Sequence, residues 1–498
     1  MPRTIDADVC IIGAGIAGLF AALSLPDDTH VIVIEKGTLG EGSSPMAQGG
    51  MAAAIGPEDS WERHLADTII AGEDLVDEAA AAIVCQQAPE RLEDLIAYGC
   101  SFDQQPDGAL HLAREGGQSV ARSVHRTDTT GFEMVRALRL AAESRIQRFH
   151  GYALGFAMAG ETCRGVWASG DGDPGATVLI RAGATLLATG GAGALFASTT
   201  NAPASTGDGI AMGARVGAIL SDLEFVQFHP TALAVPEAPR PLLTEALRGA
   251  GATLVDARGN RFMVPIHPDA ELAPRHIVAA QILASGGAFL DCRSIGAEAL
   301  EREFPTVMTS CRSRGFDPVG DLLPVEPAAH YLIGGLATDL DARTSLPGLF
   351  AAGECAATGM HGANRLAGNS LAESVVFAAR AAAAMTGARD EHGDAGDPAW
   401  ADAPTVGAPV DPVLRAKIVE TVTLGAGAIR DAGAANVALG RVRSLKERSI
   451  ASPGAAAMVA AGELLIEAAL RRQESRGVHV RSDFPATDPT LDGVHLSR

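Results

Sequence analysis

Aromatic residues are scarce in this chain: 3 Trp, 3 Tyr and 15 Phe among 498 residues. Small apolar side chains, alanine above all, must therefore carry much of the packing. Cysteine is sparse as well. Its seven copies, from Cys10 to Cys355, form no C-x-x-C pair and no paired His cluster joins them. That argues against a disulfide scaffold and a zinc site, and it fits a reducing cytoplasm. Positive charge is in deficit, with 39 Lys and Arg against 60 Asp and Glu and a formal net charge of −21. A field of that sign repels phosphate backbones and anionic lipid, so neither nucleic acid nor membrane is expected as a partner. Long apolar runs are missing too. The longest uncharged stretch, residues 9–25, is broken by Gly13, Gly15 and Gly18 and is slightly short for a span. The first eight residues carry charges of both signs and do not read as a signal peptide.

What is present is ample core material, 47% hydrophobic and 20% charged residues, which excludes a disordered or collagen-like chain. At about 150 residues per domain, the length suggests roughly three domains. Residues 6–35 read as strand, glycine turn, helix and strand. From 57 to 150 the pattern is helical, with helices expected over 60–71, 77–98 and 131–144. A strand-rich stretch follows over 149–189, with a hairpin-like turn at 171–175. Residues 226–330, richer in Pro and Arg, interrupt the α/β pattern and read as an inserted second domain. The pattern resumes at 348–353 and enters a helix over 371–385. Residues 387–412, dense in Gly, Ala, Asp and Pro, read as a linker. Helices are expected over 412–423, 426–448 and 454–473.

One motif carries clear chemistry. Gly13-x-Gly15-x-x-Gly18 follows a strand, opens a helix, and is followed by Glu35 at the end of the next strand. The glycines allow a tight turn and close approach to a pyrophosphate, the helix start supplies N–H donors, and Glu35 suits a ribose diol. At this point the nucleotide is NAD or FAD. Further along, the small, polar string Glu41 to Gly50 suits a long cofactor lying along the backbone. Two strands also run into glycines, at Thr185–Gly191 and at Phe350–Glu354.

These three elements resemble the large two-domain flavoproteins, and the ordered set of strings across the chain resembles the succinate dehydrogenase/fumarate reductase flavoprotein family. The strings include Ala47-Gln48-Gly49-Gly50, Thr206-Gly207-Asp208-Gly209, Gln227-Phe228-His229-Pro230-Thr231 and Thr244-Glu245-Ala246-Leu247-Arg248-Gly249. They continue with Ala273-Pro274-Arg275, Ala329-His330-Tyr331, His361-Gly362-Ala363-Asn364-Arg365-Leu366, Asn369-Ser370-Leu371 and Ser475-Arg476-Gly477-Val478-His479. The resemblance implies an α/β fold: a Rossmann-like FAD-binding domain (1–225 with 331–390) and an inserted α+β capping domain (226–330). A linker (391–411) and a C-terminal helical domain (412–498) complete it. It implies FAD contacts from Gly13, Ala14, Gly15, Ile16, Ala17, Gly18, Glu35, Lys36, Ser43, Ser44, Ala47, Gln48, Gly49 and Gly50. Further contacts are implied from Gly190, Asp208, Glu354, Ser370 and Leu371. Asp208 also reads as an N-cap for a helix beginning near Gly209.

Two positions refine the resemblance. Many family members attach FAD covalently to a histidine five residues before the Gln of Gln-Gly-Gly, and counting back from Gln48 lands on Ser43. FAD is therefore expected to bind non-covalently, which points away from a succinate dehydrogenase. Arg114-Glu115-Gly116-Gly117 resembles the loop of the L-aspartate-oxidising branch, where the glutamate faces the substrate amine. The expected substrate contacts are then His229, Thr244, His330 and Arg365 for the carboxylates and Glu115 for the ammonium, with Arg275 important to catalysis. The implied reaction is oxidation of L-aspartate to iminoaspartate, with dioxygen or fumarate as acceptor and hand-over of the product to quinolinate synthase on the route to NAD. The alternative is a soluble fumarate reductase or a succinate dehydrogenase-type subunit. His30, His64, His111, His125, His150 and His267 lie in no such string and read as structural. Cys355 has no second cysteine nearby and is not read as redox-active.

Overall fold

A computed structural model describes residues 3–37, 42–170, 173–388, 396–399 and 403–498. Five parallel strands form its central layer, in the spatial order Ile146–Ala159, Val31–Glu35, Arg3–Ile12, Asp173–Leu187 and Leu349–Ala351. Beyond its parallel segment, the Ile146–Ala159 strand turns antiparallel against Thr162–Gly170, which in turn pairs with Asp173–Leu187. The strand-rich stretch is thus a meander that grows out of the nucleotide-binding sheet. Residues 171 and 172 of its expected turn, residues 389–395 and 400–402 of the expected linker, and Glu41 lie outside the described residues.

One face of the sheet is covered by helices Ile16–Ser24 and Asn369–Ala388, the second of which also packs on Glu78–Ala97. Its fully buried Ala372, Ala378, Ala381 and Ala382 let the backbones approach closely, which is how a chain poor in aromatics fills this layer. The acidic helices fall where the periodicity puts them, at Trp61–Ala71 and Glu78–Ala97, capped by Ser60 and Asp77. The stretch between them and helix Thr130–Ala142 is not helical. It supplies Leu112–Ala113 and Ser123–Val124, which form a small sheet with Met51–Ala52 from before the acidic helices, with the loop 114–122 between the first two.

The chain from 226 to 332 makes a separate antiparallel sheet, in the order Val226–Leu233, Leu322–Leu332, Ala288–Asp291 and Thr253–Asp256. It has its own apolar core, from Leu233 to Val325. Helix Pro305–Arg312 of this unit starts on Asp128, whose Oδ2 accepts from the backbone N–H of Thr306 at 2.8 Å and of Val307 at 3.1 Å.

At the C-terminus, helices Pro412–Ala426, Ala432–Ser444 and Pro453–Arg471 pack on one another. The single helix expected over 426–448 is broken. Ile429–Arg430 pairs in parallel with Val480–Arg481, and Asp431 then caps a fresh helix by accepting from the Ala434 N–H. Pro453–Arg471 is long and apolar enough to cross a membrane, but over half of it is buried within this structure. All seven cysteines are free and buried.

Candidate active site

A cavity of about 530 Å³ runs from Glu35, at the C-terminal end of strand Val31–Glu35, to Arg365, beneath the inserted unit. Its first half is built by the glycine turn. Gly13 adopts φ +115°, and a Cβ there would overlap the Ala188 carbonyl. Gly15 caps helix Ile16–Ser24 without a side chain, so the helix's leading N–H groups face the cavity, and Ser44 Oγ lies 3.3 Å from Ile16 N. Ala14, Ile16, Ala17, Ala47, Gly49, Gly50, Gly190, Ser370 and Leu371 also line the cavity. Glu35 is held by Arg148, both of whose bonds land on Oε1. Glu354 accepts from the Leu332 N–H at 2.9 Å, and burial pushes its carboxyl up to about 7.

Two expected contacts are corrected. Gly18 does not border the cavity: a Cβ there would meet the Gly13 carbonyl, so its role is to let helix and strand close up. Asp208 lies behind the lining. It is the first residue of helix Asp208–Arg215, with Gly207 at the cap, and it pairs with Lys36 and accepts from Thr206 Oγ1 at 2.9 Å. Lys36 itself lines the cavity.

The residues fit FAD. Gln48 Oε1 and Thr189 Oγ1 are buried in the cavity wall without a hydrogen-bond partner among the described residues, which suits a polar occupant. Ser43 carries no ring nitrogen; its Oγ lies 2.9 Å from Ser205 Oγ and accepts from the Ala202 N–H at 3.1 Å. The bound cofactor is thus held by contacts alone.

The second half of the cavity gathers the expected substrate residues. Arg275 opens helix Arg275–Ala284 and is clamped by Glu245, with Nε and Nη2 each 2.8 Å from Oε2. Burial would raise the Glu245 carboxyl, yet the Arg275 and Arg248 guanidiniums outweigh it and hold it down at about 2. Arg365 differs. Among the described residues no carboxylate pairs with it, its Nη2 donates to Gln227 Oε1 at 3.1 Å, and its buried Nε has no partner. Burial and the neighbouring Arg275 charge lower its pKa to about 10, so it stays cationic.

His229 accepts from the Thr231 N–H through Nδ1 at 3.2 Å, which leaves the proton on Nε2. Burial, and then the charges of Arg275, Arg248 and Arg365, hold it neutral. His330, held neutral by burial and by His229, sets Nδ1 2.8 Å from Thr200 Oγ1. The two rings lie 5.2 Å apart. Thr244 caps helix Glu245–Gly249 by accepting from Ala246, so its hydroxyl hydrogen remains free to donate. Glu115 sits on the loop fixed by Gln118, accepts from the Gly50 N–H at 2.8 Å, and is partly buried in the cavity wall. Burial pushes its carboxyl up, a cost that a cation beside it would remove.

Sequence reasoning named Gln227 only as part of a string. In the fold it is central: Oε1 accepts from Arg275 Nη1 at 2.9 Å as well as from Arg365, while Nε2 donates to Asn364 Oδ1 and to the Arg365 carbonyl, each at 3.0 Å. Glu245 and Arg248 were likewise visible only as letters of a motif. The buried guanidiniums of Arg275 and Arg365 thus line this end of the cavity with the carboxylates of Glu115, Glu245 and Glu354, and Arg248 stands behind Glu245.

Residues 8–371 match the FAD binding domain model, and residues 427–491 match the fumarate reductase flavoprotein C-terminal model. The chain is 42% identical to the L-aspartate oxidase of Streptomyces coelicolor, the match covering 99% of this chain and 91% of that one. It is also 42% identical to the L-aspartate oxidase of Caulobacter vibrioides, over 97% and 96% of the two chains. Among solved structures, E. coli quinol fumarate reductase FrdA superposes with a TM-score of 0.89 at 29% identity, covering 100% of this chain and 96% of that one.

Proposed function

The chain belongs to the L-aspartate oxidases, within the FAD-binding succinate dehydrogenase/fumarate reductase flavoproteins, and from that membership and the cavity we propose that it oxidises L-aspartate to iminoaspartate. The observation that carries the reading is the pairing of opposite receptors in one enclosed site. Arg365 is a buried cation that pairs with no carboxylate among the described residues, and Glu115 is a partly buried carboxyl whose desolvation raises its pKa. An α-amino dicarboxylate satisfies both.

FAD held by these residues would supply the hydride acceptor and the route for electrons to dioxygen or fumarate. The chain supplies binding and charge. The Arg365 fork grips one carboxylate, while the neutral imidazole N–H groups of His229 and His330 and the Thr244 hydroxyl donate to carboxylate oxygens. Glu115 holds the ammonium and receives its proton as the imine forms. Arg275, already paired with Glu245, stabilises negative charge developing at the substrate. Fumarate satisfies Arg365 but offers Glu115 no cation, so it suits the acceptor's part. The unit spanning 226–330 acts as a cap over the flavin, because it brings His229, Thr244 and Arg275 to the site. The imine hydrolyses readily, which favours prompt hand-over to quinolinate synthase in a reducing cytoplasm.

Anaerobic addition of L-aspartate to the yellow holoenzyme tests the reading. Aspartate should bleach the flavin and succinate should not; bleaching by succinate alone overturns it.

A further inference from the structure

Arg365 and Arg275 share one cavity but are stabilised in opposite ways. Arg275 is neutralised directly by Glu245. Arg365 instead lies on an aromatic face, its Cζ 4.5 Å from the centroid of the Tyr331 ring. A ring attracts a guanidinium without neutralising it or occupying the edge of its fork. The ring is itself anchored from behind. Tyr331 Oη donates to Glu373 Oε2 at 2.9 Å, and the same carboxylate takes His361 Nε2 at 3.0 Å and Thr358 Oγ1 at 2.6 Å.

Glu373 is 1% exposed and sits on helix Asn369–Ala388, one layer behind the cavity wall. Burial works against its charge, but the His361 charge and its three hydrogen bonds keep the carboxyl below the ordinary glutamate value. Burial and the Glu373 charge together hold the Tyr331 phenol protonated, so it remains the donor. A phenol donating to a carboxylate gains electron density on its ring, which strengthens the attraction for the cation above it.

We propose that Glu373 is a positioning residue: it fixes Tyr331 as a platform under Arg365, so that a buried guanidinium stays charged, unpaired and available to a substrate carboxylate. A carboxylate placed directly on Arg365 would stabilise the cation equally well but compete with the substrate. Moving the negative charge back by one aromatic ring keeps the stabilisation and removes the competitor. This rests on the reading of Arg365 as the carboxylate grip.

The test compares wild-type holoenzyme with Tyr331→Leu, Tyr331→Phe and Glu373→Gln. Succinate binding is followed by the flavin absorbance change and by calorimetry, beside steady-state kinetics with aspartate. Y331L removes the platform and should weaken succinate binding by about 10- to 30-fold. KM for aspartate should rise in parallel while kcat stays within about threefold, a split that general loosening of the fold does not produce. Y331F keeps the ring and loses its anchor, and should weaken succinate by about threefold. E373Q should match it, with FAD content unchanged. If Y331L does not fold, Y331F and E373Q decide, and succinate affinity equal to wild type in both overturns the proposal. So does Y331L that binds succinate normally or loses kcat with KM unchanged. Wild type that binds no dicarboxylate overturns both this and the proposed function; wild type that binds it, with all variants equal, overturns only the positioning role.

Discussion

In the proposed reading, Glu115 separates an amine-bearing dicarboxylate from a plain one. Its carboxyl is partly buried, and the Gly50 N–H is the hydrogen bond that supports its charge from the backbone. Desolvation therefore disfavours the anion until a cation arrives. Removing the charge with Glu115→Gln should raise KM for aspartate by about 10- to 100-fold, the worth of a hydrogen bond between charged groups. Succinate inhibition should be unchanged or tighter, since succinate brings no cation to the site. Steady-state kinetics with succinate as competitor checks this, and equal losses for both ligands would remove the amine role. Glu115 was legible in the sequence because its loop string is local. Gln227 was not legible as a bridge, because its partners Arg275 and Arg365 lie 48 and 138 residues away.

At the scale of elements, the inserted unit is joined to the nucleotide-binding part through a helix cap. Asp128, which precedes helix Thr130–Ala142, accepts the first N–H groups of helix Pro305–Arg312 from the other unit. A helix start leaves four N–H groups without intrahelical partners, so this carboxylate meets a need that the helix cannot satisfy alone. Asp128→Ala should cost about 1–2 kcal/mol, whereas Asp128→Asn, which keeps an acceptor oxygen, should cost only a fraction of that. Urea denaturation of the two holoenzymes separates the cases, and equal losses would show that packing rather than capping is at stake. The sequence marked the caps of the acidic helices, Ser60 and Asp77, since each precedes its own helix. Asp128 was silent, because it caps a helix 178 residues later.

Across the whole molecule, the C-terminal helices are tied to the rest by buried charge. Arg472 donates to Glu224 at 2.7 Å and to Glu474 at 2.8 Å, Arg476 joins Glu474 at 3.0 Å, and the Arg472 guanidinium lies 4.8 Å from the Phe225 ring centroid. Both glutamates are fully buried. Replacing Arg472 with Met leaves the buried Glu224 carboxyl without its paired guanidinium, with Arg430 the remaining cation near it, a change worth about 3–5 kcal/mol. Burial already raises the Glu224 carboxyl above its ordinary value, and loss of Arg472 raises it further. A carboxyl whose folded pKa exceeds its unfolded one loses stability as pH rises between the two. Arg472→Met should therefore be most destabilising near pH 8 and partly recover near pH 5. Denaturation at both pH values checks the sign, and a larger loss at the acidic end would contradict it.

What the sequence determined by itself is whatever local backbone geometry or an ordered set of short strings can encode. The glycine turn, the helix that follows it and Glu35 are written within 30 residues, and the absence of a histidine at Ser43 already indicates how FAD is held. Net charge was a poor guide to the site. The −21 is a property of the chain as a whole, while the fold brings Arg275 and Arg365 from two distant stretches to line one cavity end. Only the tertiary structure decided which arginine is neutralised and which is left free. Glu245 reaches Arg275 from 30 residues away, whereas Tyr331 carries Arg365 on its ring with Glu373 held behind it. The reason is physical: a guanidinium's charge is set by what is packed against it after water has left, and sequence spacing does not record that.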